Sequence, residues 1–475
     1  MNRALQAGGL RSTERQVNSL TKRPLWTAFV ALFTAVILSG AVQGATQSES
    51  KRPDVVFILS DDQAWNDYSF MEHETIRTPN IDQLARESLV FTRGYVPDSL
   101  CRPSLATIIS GLYPHQHGIV GNDPPLPKQL VGKPRGQLVK NADYLKSLDD
   151  YLKFHIDRVD TLPDRLKKLG YRSFQSGKWW EGNPARGGFD SWMSHGDPTK
   201  GGRHGDEGLK IGREGMEPVR KFVKQAKEDG VPYFLWYAPM MPHTPHDPPA
   251  QLLEWYEKFA PTPSIAKYWA MCALFDDTIG GLREIINRDG RGKDTIIVYV
   301  TDNGWINLPD KSAYAPKSKR SQYDGGVRTP IMIHWPEHIA AQRDDQHLAS
   351  SIDLVPTTLA LLGVEKDDKL PGINLTNAAA VEGRRAVFGE ILEHDIVDMV
   401  DPVPSLQYRW VVDGWDKLIV PFQRASDSVK SPIELYDLKA DPWEEKNLAG
   451  LPESQAKIAA LREKLDKWWT PAPSK

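Results

Sequence analysis

The sequence predicts an α/β fold, in which a large mixed, mostly parallel β-sheet lies between helices and a small C-terminal antiparallel sheet follows with a helix. Short, continuous apolar runs alternate with longer amphipathic segments through most of the chain, which is typical of a parallel sheet covered on both faces. Polar residues follow these runs directly, as they do at strand ends. After about residue 365 hairpin-like strands replace the alternation.

The elements can be placed in order from these patterns. Each helix–strand pair is a helical segment that ends in a polar turn and continues into an apolar run. The predicted elements are a strand in 52–62, a helix and strand in 78–96, a helix in 99–111, helix–strand pairs in 161–180 and 221–246, a long helix in 268–290, a strand in 294–304, a hairpin in 408–422 that turns at Asp413–Gly414, a strand in 431–438 and a final helix in 453–469.

Length and composition are those of a globular protein with a large core. The chain has 475 residues, of which 40% are hydrophobic and 25% are charged. The formal net charge of −3 argues against a nucleic-acid-binding surface, so we expect no nucleic-acid partner. Anion recognition must therefore come from individual lysines and arginines.

The N-terminal region has the order of an export signal. Basic residues precede an apolar stretch at 25–40, and small and polar residues follow it. This stretch is shorter than the roughly 20 residues that span a membrane. We predict a signal peptide over 1–44, a mature chain that begins near Ala45 without a stable membrane span, and a periplasmic or extracellular location. An uncleaved anchor is the alternative. The predicted domains are 52–365, carrying the site, and a C-terminal subdomain at 366–475.

Acidic and amide side chains follow two of the predicted strands. Asp61 and Asp62 end the first strand, and Asp302 and Asn303 end a later one. Either pair alone is also typical of a cap or a turn. Because the carboxyl ends of parallel strands share one edge of a sheet, the two pairs together favour a site for Ca²⁺ or Mg²⁺, which prefer oxygen ligands.

Cationic and cysteine residues also fall near strand or helix ends. Lys178 and Lys319 would hold an anion against a divalent cation, and His243 would donate a proton to a leaving group. Cys101 opens a predicted helix, whereas Cys272 lies on an apolar helix and packs as a small hydrophobic residue. The remaining histidines considered are assigned to turns or helix entries: His115, His117 and His246.

From about residue 53 to about residue 449 the chain resembles a type I, formylglycine-type sulfatase of the alkaline-phosphatase-like superfamily. Eleven motifs occur in the order of that family. They are DVVFILSDD, TPNIDQLARESLVFTRGYV, CRPS, SGLYPHQHG, SGKW, GGFDSW, FLWYAPMMPHTPH, IIVYVTDNG, YDGGVRTPIMIHWP, SIDLVPTTLALLG and ELYDLKADPWEEKNLA.

The resemblance implies an activity and a role for each matching residue. In that family the motif cysteine is oxidised during export to formylglycine by dedicated machinery, and the hydrated aldehyde is the nucleophile. The implied roles are formylglycine for Cys101, sulfate binding for Lys178 and Lys319, protonation of the departing alcohol for His243, and one Ca²⁺ held by Asp61, Asp62, Asp302 and Asn303.

Two positions depart from the family pattern. The motif Cys-x-Pro-Ser-Arg ends here in Leu105, and the motif Lys-x-His ends here in Trp180. In the family the arginine belongs to the maturation signal and steadies the aldehyde hydrate, while the histidine is the base that releases sulfate. Arg102 or a nearby histidine would have to replace these functions in an active enzyme.

Three functions are therefore predicted as alternatives. The first is hydrolysis of sulfate esters, with a sulfated carbohydrate as substrate if Trp179, Trp180 and Trp305 line the pocket and stack on sugar rings. The second is binding of sulfated glycans without cleavage. The third is metal-dependent hydrolysis of phospho-esters, for which Ser104 stands three residues from the required position.

Overall fold

A computed structural model describes residues 52–288, 291–423 and 431–472. The predicted signal over 1–44 lies outside the described residues. Within the described part, no helix combines the length and apolar character that crossing a membrane requires. Everything described from residue 52 onward belongs to one compact unit, so the domain boundary at 365/366 stays a prediction.

A strand forms in each segment where the sequence predicts one, and five further strands were not predicted. Their bounds are β1 Asp54–Ser60, β2 Leu89–Tyr95, β3 Arg172–Gly177, β4 Ser191–Trp192, β5 Tyr233–Ala238, β6 Thr295–Thr301, β7 Arg328–His334, β8 Gln342–Asp344, β9 Ala349–Ser350, β10 Ala386–Leu392, β11 Leu406–Asp413, β12 Asp416–Pro421 and β13 Glu434–Asp437.

Most of the helices occur, in sequence order, between two strands of the large sheet. Their bounds are α1 Pro79–Arg86, α2 Cys101–Ser110, α3 Pro114–His117, α4 Arg135–Leu138, α5 Ala142–Phe154, α6 Leu162–Lys167, α7 Glu217–Glu228, α8 Ala250–Tyr256, α9 Pro263–Arg288, α10 Asp324–Val327, α11 Leu354–Leu361, α12 Ala378–Gly383 and α13 Gln455–Trp468.

The large sheet has the strand order β4-β3-β5-β1-β6-β7-β2-β8, and β9 also pairs with β2. β1 pairs in parallel with both β5 and β6, whereas β7 runs antiparallel to β6 and β2. Alternate residues of β1 enter different cores: Val55 and Phe57 pack on one side, Val56 and Ile58 on the other. The predicted mixed, mostly parallel sheet between helices is thus confirmed.

The small antiparallel sheet has the order β10-β11-β12-β13, as predicted for the C-terminal part. Its hairpin joins Asp413 to Asp416, so the two-residue turn is Gly414–Trp415, one residue later than expected. α13 packs against β11 and β12, with Leu461 and Leu465 buried beside Val411 and Leu418. Trp410 on β11 enters the core on the α2 side of the large sheet, which joins the two sheets.

Candidate active site

The carboxyl ends of four neighbouring strands carry the residues predicted to form a site. Asp61 and Asp62 follow β1, Lys178 follows β3, the loop with His243 follows β5, and Asp302 follows β6. Ligand atoms of Asp61, Asp62, Cys101 and His243 all lie within 4.8 Å of one another. The fold therefore assembles residues that are far apart in sequence, such as Asp62 and Asp302, which are 240 positions apart.

Asp62 is the centre of the hydrogen-bond network. It has a left-handed backbone (φ 64°), which is unusual for a residue other than glycine. Its backbone N–H donates to Asp302 Oδ1 at 3.1 Å, and its Oδ1 accepts from Asn303 Nδ2 at 2.7 Å. Burial alone would raise the pKa of Asp62, but Lys319, His243 and Lys178 together hold it at about 2.

Three buried oxygens at this edge have no hydrogen-bond donor within the part of the chain that the structure describes. They are Asp61 Oδ2, Asp302 Oδ2 and Asn303 Oδ1. Burial and neighbouring carboxylates raise the pKa of Asp61 and bring that of Asp302 to about 7, against the effect of Lys178. Unpaired hard oxygens among crowded carboxylates fit a Ca²⁺ or Mg²⁺ ion, which would supply the missing positive charge.

The two lysines lie against these carboxylates. Lys178 Nζ donates to Asp61 Oδ1 at 2.6 Å and lies 3.5 Å from Asp302 Oδ2. Lys319 Nζ donates to both oxygens of Asp62, at 2.6 and 2.7 Å. Nearby carboxylates raise the pKa of each ammonium despite burial, so both stay charged and can bind an anion.

Gly177 fixes the start of the segment that carries Lys178. It has φ 88°, and a Cβ there would lie 1.9 Å from the Ala238 carbonyl oxygen. The next residue, Lys178, donates its backbone N–H to that same carbonyl at 2.7 Å. Only glycine permits this close contact between the ends of β3 and β5, which places the lysine against the carboxylates.

His243 lies at the open side of the cluster. Its Nδ1–H donates to the Thr244 carbonyl at 2.6 Å, which leaves Nε2 facing Asp62 Oδ2 at 3.4 Å. Burial, with Lys319 and Lys178, lowers the pKa of His243 to about 4 against the effect of Asp62. The ring is therefore neutral at neutral pH, and an anion bound beside it would favour its protonated form.

Cys101 begins α2 and is buried, 1% exposed. Burial raises the pKa of its thiol to about 12, although Lys178 and Lys319 act in the opposite direction. A thiol with this pKa is protonated at neutral pH and is a poor nucleophile. Cys272, by contrast, packs beside Ile76 and Tyr268 in a separate apolar cluster, as predicted.

Leu105 and Trp180 make the surroundings of Cys101 more apolar. Both side chains are buried and belong to the same hydrophobic cluster as Cys101. The Trp180 ring centre lies 5.9 Å from Lys178 Nζ and 4.3 Å from the Arg203 guanidinium carbon. The two departures from the family pattern therefore lie in the same buried core as Cys101, one on its helix and the other beside Lys178.

Arg102 does not replace the missing arginine in this structure. Its guanidinium donates to both carboxylate oxygens of Glu181, at 2.7 and 2.8 Å, and lies 3.9 Å from the centre of the Tyr151 ring. Its backbone N–H donates to Asn122 Oδ1 at 3.0 Å. This buried ion pair joins the start of α2 to the segment after Lys178. No spacing between residues 102 and 181 predicts this pair.

Glu181→Gln is expected to lower the free energy of unfolding by about 3 kcal/mol, because it leaves the buried Arg102 charge without its anion. Urea denaturation followed by circular dichroism measures this change. The matched control is Glu207→Gln, which removes an exposed ion pair with Lys210 and should change stability by less than about 0.5 kcal/mol. Equal stability of the two variants would contradict the expectation.

The tryptophans near the site are less accessible than stacking on sugars requires. Trp179, Trp180 and Trp305 are each less than 5% exposed. Trp305 Nε1 donates to Asn307 Oδ1 at 3.1 Å, and its ring centre lies 5.7 Å from Lys319 Nζ. The Trp305 ring therefore packs beside Lys319 and is not exposed for stacking on a sugar.

Two protein families match the chain. Residues 53–364, more than half of the chain, match the family described as Sulfatase. Residues 314–470 match the family described as N-sulphoglucosamine sulphohydrolase, C-terminal. The two matched segments overlap and together include every predicted site residue.

Individual relatives agree with these families. N-acetylgalactosamine-6-sulfatase of Rattus norvegicus is 26% identical over 367 residues, covering 68% of this chain, and the chain spans only 65% of that relative's length. Arylsulfatase A of Homo sapiens is 28% identical over 459 residues, covering 84% of each protein.

A solved structure supports the fold. A protein crystallised with its substrate, D-glucosamine-2-N,6-O-disulfate, has a TM-score of 0.66 and 19% identity, covering 88% of this chain and 97% of that one. The resemblance indicated by the sequence motifs is thus confirmed at the level of the family and the fold. The chain belongs to the sulfatase family.

Proposed function

We propose that the protein hydrolyses sulfate esters of a sulfated carbohydrate, with one Ca²⁺ and with a formylglycine derived from Cys101. The observation that carries the proposal is the placement of a buried cysteine, two charged lysines and three unpaired buried oxygens at one edge of the sheet. Such an edge offers both a cation site and an anion site, and a sulfate ester beside a divalent cation requires both.

The cation would be held by Asp61, Asp62, Asp302 and Asn303. Three of these residues supply the oxygens that have no donor in the described part of the chain. A bound Ca²⁺ would supply positive charge that polarises the sulfate ester.

Lys178 and Lys319 would bind the sulfate oxygens, since both ammonium groups stay charged at this site. His243 would donate a proton from Nε2 to the departing alcohol. Thr244 supports this role because its carbonyl fixes the orientation of the ring. The anionic substrate would favour the protonated form that this donation requires.

Conversion of Cys101 is supported by the chemistry of the unmodified residue. A thiol with a pKa of about 12 is a poor nucleophile at neutral pH. A formylglycine would supply an oxygen nucleophile at the same position, at the start of α2. The proposal therefore includes export to the periplasm or cell exterior, and contact with the machinery that converts the cysteine.

The proposed substrate class comes from the relatives. One is named an N-acetylgalactosamine-6-sulfatase, and a structural neighbour was crystallised with a sulfated glucosamine. A ulvan-active sulfatase of Formosa agariphila, 23% identical over 498 residues and covering 90% of this chain, also acts on a sulfated glycan by its name. Sulfated hexosamines are therefore the first substrates to test.

The first experiment measures the mass of the tryptic peptide that carries Cys101, after export from the native host and treatment with a thiol-alkylating reagent. Pro103 blocks cleavage after Arg102, so the peptide runs from Gly94 to Lys128. We expect an unalkylated peptide in which an aldehyde oxygen replaces the sulfur. Release of inorganic sulfate from sulfated hexosamines by the same preparation tests the activity.

A fully alkylated Cys101 would contradict the enzymatic proposal. It would favour the second candidate function, binding of sulfated glycans without cleavage. The observation in favour of that candidate is that buried apolar side chains, Leu105 and Trp180, belong to the same core as Cys101 and occupy the two positions where the family has an arginine and a histidine. Binding of sulfated hexosamines without sulfate release would then be the expected result.

A further inference from the structure

The loop that carries Lys319 has a strained backbone on both sides of the lysine. Lys317 and Arg320 are left-handed, with φ of 57° and 64°. A Cβ on Gly326 would lie 2.3 Å from the Ser318 carbonyl oxygen, so the loop folds closely onto the start of α10. Such conformations cost free energy and persist only where surrounding contacts hold them.

The contacts that hold this loop come from the C-terminal part of the chain. Asp324 begins α10, and its backbone N–H donates to Glu444 Oε2 at 2.5 Å. Its Oδ1 accepts from Lys417 Nζ, on β12, at 2.8 Å. Lys317 Nζ donates to the backbone carbonyl of Glu444. The loop is thus bound on both sides of Lys319.

Lys417, Asp324 and Glu444 form a buried charged cluster. Each residue is at most 1% exposed, and Lys417 Nζ lies 2.8 Å from Glu444 Oε1. The ammonium of Lys417 balances one of the two carboxylates, and the guanidinium of Arg328, 3.8 Å from Asp324 Oδ2, supplies the second positive charge that such a burial requires. The small sheet therefore contributes a charge to a loop of the site.

Glu444 itself has φ 58°. Glycine adopts this conformation at the lowest cost, so a glutamate here accepts backbone strain that its side-chain and backbone contacts offset. Those contacts reach Asp324 and Lys417 and, through them, the loop of Lys319. The exposed neighbour Glu445 has an ordinary backbone and makes no such contact in the described chain.

We propose that Glu444 and Lys417 are positioning residues that hold the strained loop 317–326 so that the ammonium of Lys319 meets a bound sulfate group. The inference rests on the proposed function, because it assumes that Lys319 binds sulfate. It assigns to the C-terminal subdomain a part in anion binding, although none of its residues in the cluster touches the sulfate site.

The experiment measures the affinity of the full-length, Ca²⁺-loaded protein for inorganic sulfate by calorimetry. We expect Glu444→Gln, which keeps the side-chain shape but removes the charge that holds Lys417, to weaken sulfate binding about tenfold. Glu445→Gln makes the same change at the exposed neighbour and should bind as the parent does. Lys319→Ala gives the reference for complete loss of the lysine.

A double variant separates positioning from general destabilisation. If Glu444 acts through Lys319, adding Glu444→Gln to Lys319→Ala weakens sulfate binding no further than Lys319→Ala alone. If the double variant instead binds sulfate more weakly than Lys319→Ala by the same factor that Glu444→Gln causes alone, the inference is wrong. If Glu444→Gln does not fold, Lys317→Met replaces it in the experiment, because Lys317 is partly exposed and donates to the Glu444 carbonyl. We expect Lys317→Met also to weaken sulfate binding about tenfold. Parental sulfate affinity in this variant would overturn the inference.

The outcomes also distinguish this inference from the proposed function. Parental sulfate affinity in Lys319→Ala would overturn the sulfate-binding role of that lysine, and the inference with it. Weak binding in Lys319→Ala together with parental binding in folded Glu444→Gln would overturn the inference alone.

Discussion

Replacing Asp302 with alanine is expected to weaken Ca²⁺ binding by more than about 100-fold. Asp302 Oδ2 accepts no hydrogen bond within the described chain, and Lys178 Nζ lies 3.5 Å from it, so the oxygen can bind an ion without losing a hydrogen bond. Oδ1 accepts the backbone N–H groups of Asp62 and Asn303, at 3.1 and 2.7 Å, and thereby orients two other proposed ligands. The substitution removes both functions, and calorimetric titration of chelator-treated protein with Ca²⁺ measures the loss.

Two controls sharpen this measurement. Asp302→Asn keeps an oxygen for the backbone donors and should lose less affinity than alanine, whereas Asp310→Ala removes an exposed carboxylate eight residues later in the sequence and should lose none. Because the pKa of Asp302 is about 7, Ca²⁺ binding should strengthen as the pH rises from about 6 to about 8, where the carboxylate loses its proton. Parental Ca²⁺ affinity in Asp302→Ala would exclude this residue as a ligand.

The sequence was sufficient to predict the fold class and to predict that the candidate site residues meet at one edge of the sheet. Buried parallel strands must be apolar on both faces, so β1 and β6 are visible as continuous runs. Side chains that follow such strands meet at one edge of the sheet. This rule predicts that Asp61 and Asp302 lie close together, and the structure places both against Lys178.

Other contacts could not be predicted, because no periodicity links their partners. Arg102 and Glu181 are 79 positions apart, and Lys417 and Asp324 are 93 apart. A lysine in a hairpin strand is typical of a solvated face, yet Lys417 is fully buried. Lys417 meets the carboxylates of Asp324 and Glu444 only because the small sheet packs against the large one.

The double substitution Leu105→Arg with Trp180→His is expected to raise sulfatase turnover by about 10² to 10⁴-fold, the range that a positioned acid or base contributes. Leu105 lies four residues after Cys101 in α2, on the same face of the helix. Trp180 lies beside Lys178. The substitutions would therefore place a cation and a titratable nitrogen in the layer next to residue 101.

Turnover is measured on a sulfated hexosamine and divided by the fraction of protein in which residue 101 is converted, because the resemblance implies that the new arginine would also change the extent of that conversion. The matched control is Leu105→Met with Trp179→His, since Trp179 packs instead against Phe189 and Trp236. Only the first pair changes charge beside the proposed sulfate site. The comparison is made with Ca²⁺ bound and residue 101 converted in both proteins. If the turnover of Leu105→Arg with Trp180→His does not exceed that of the parent, Leu105 and Trp180 do not limit the reaction, and another feature of the site sets the reaction rate.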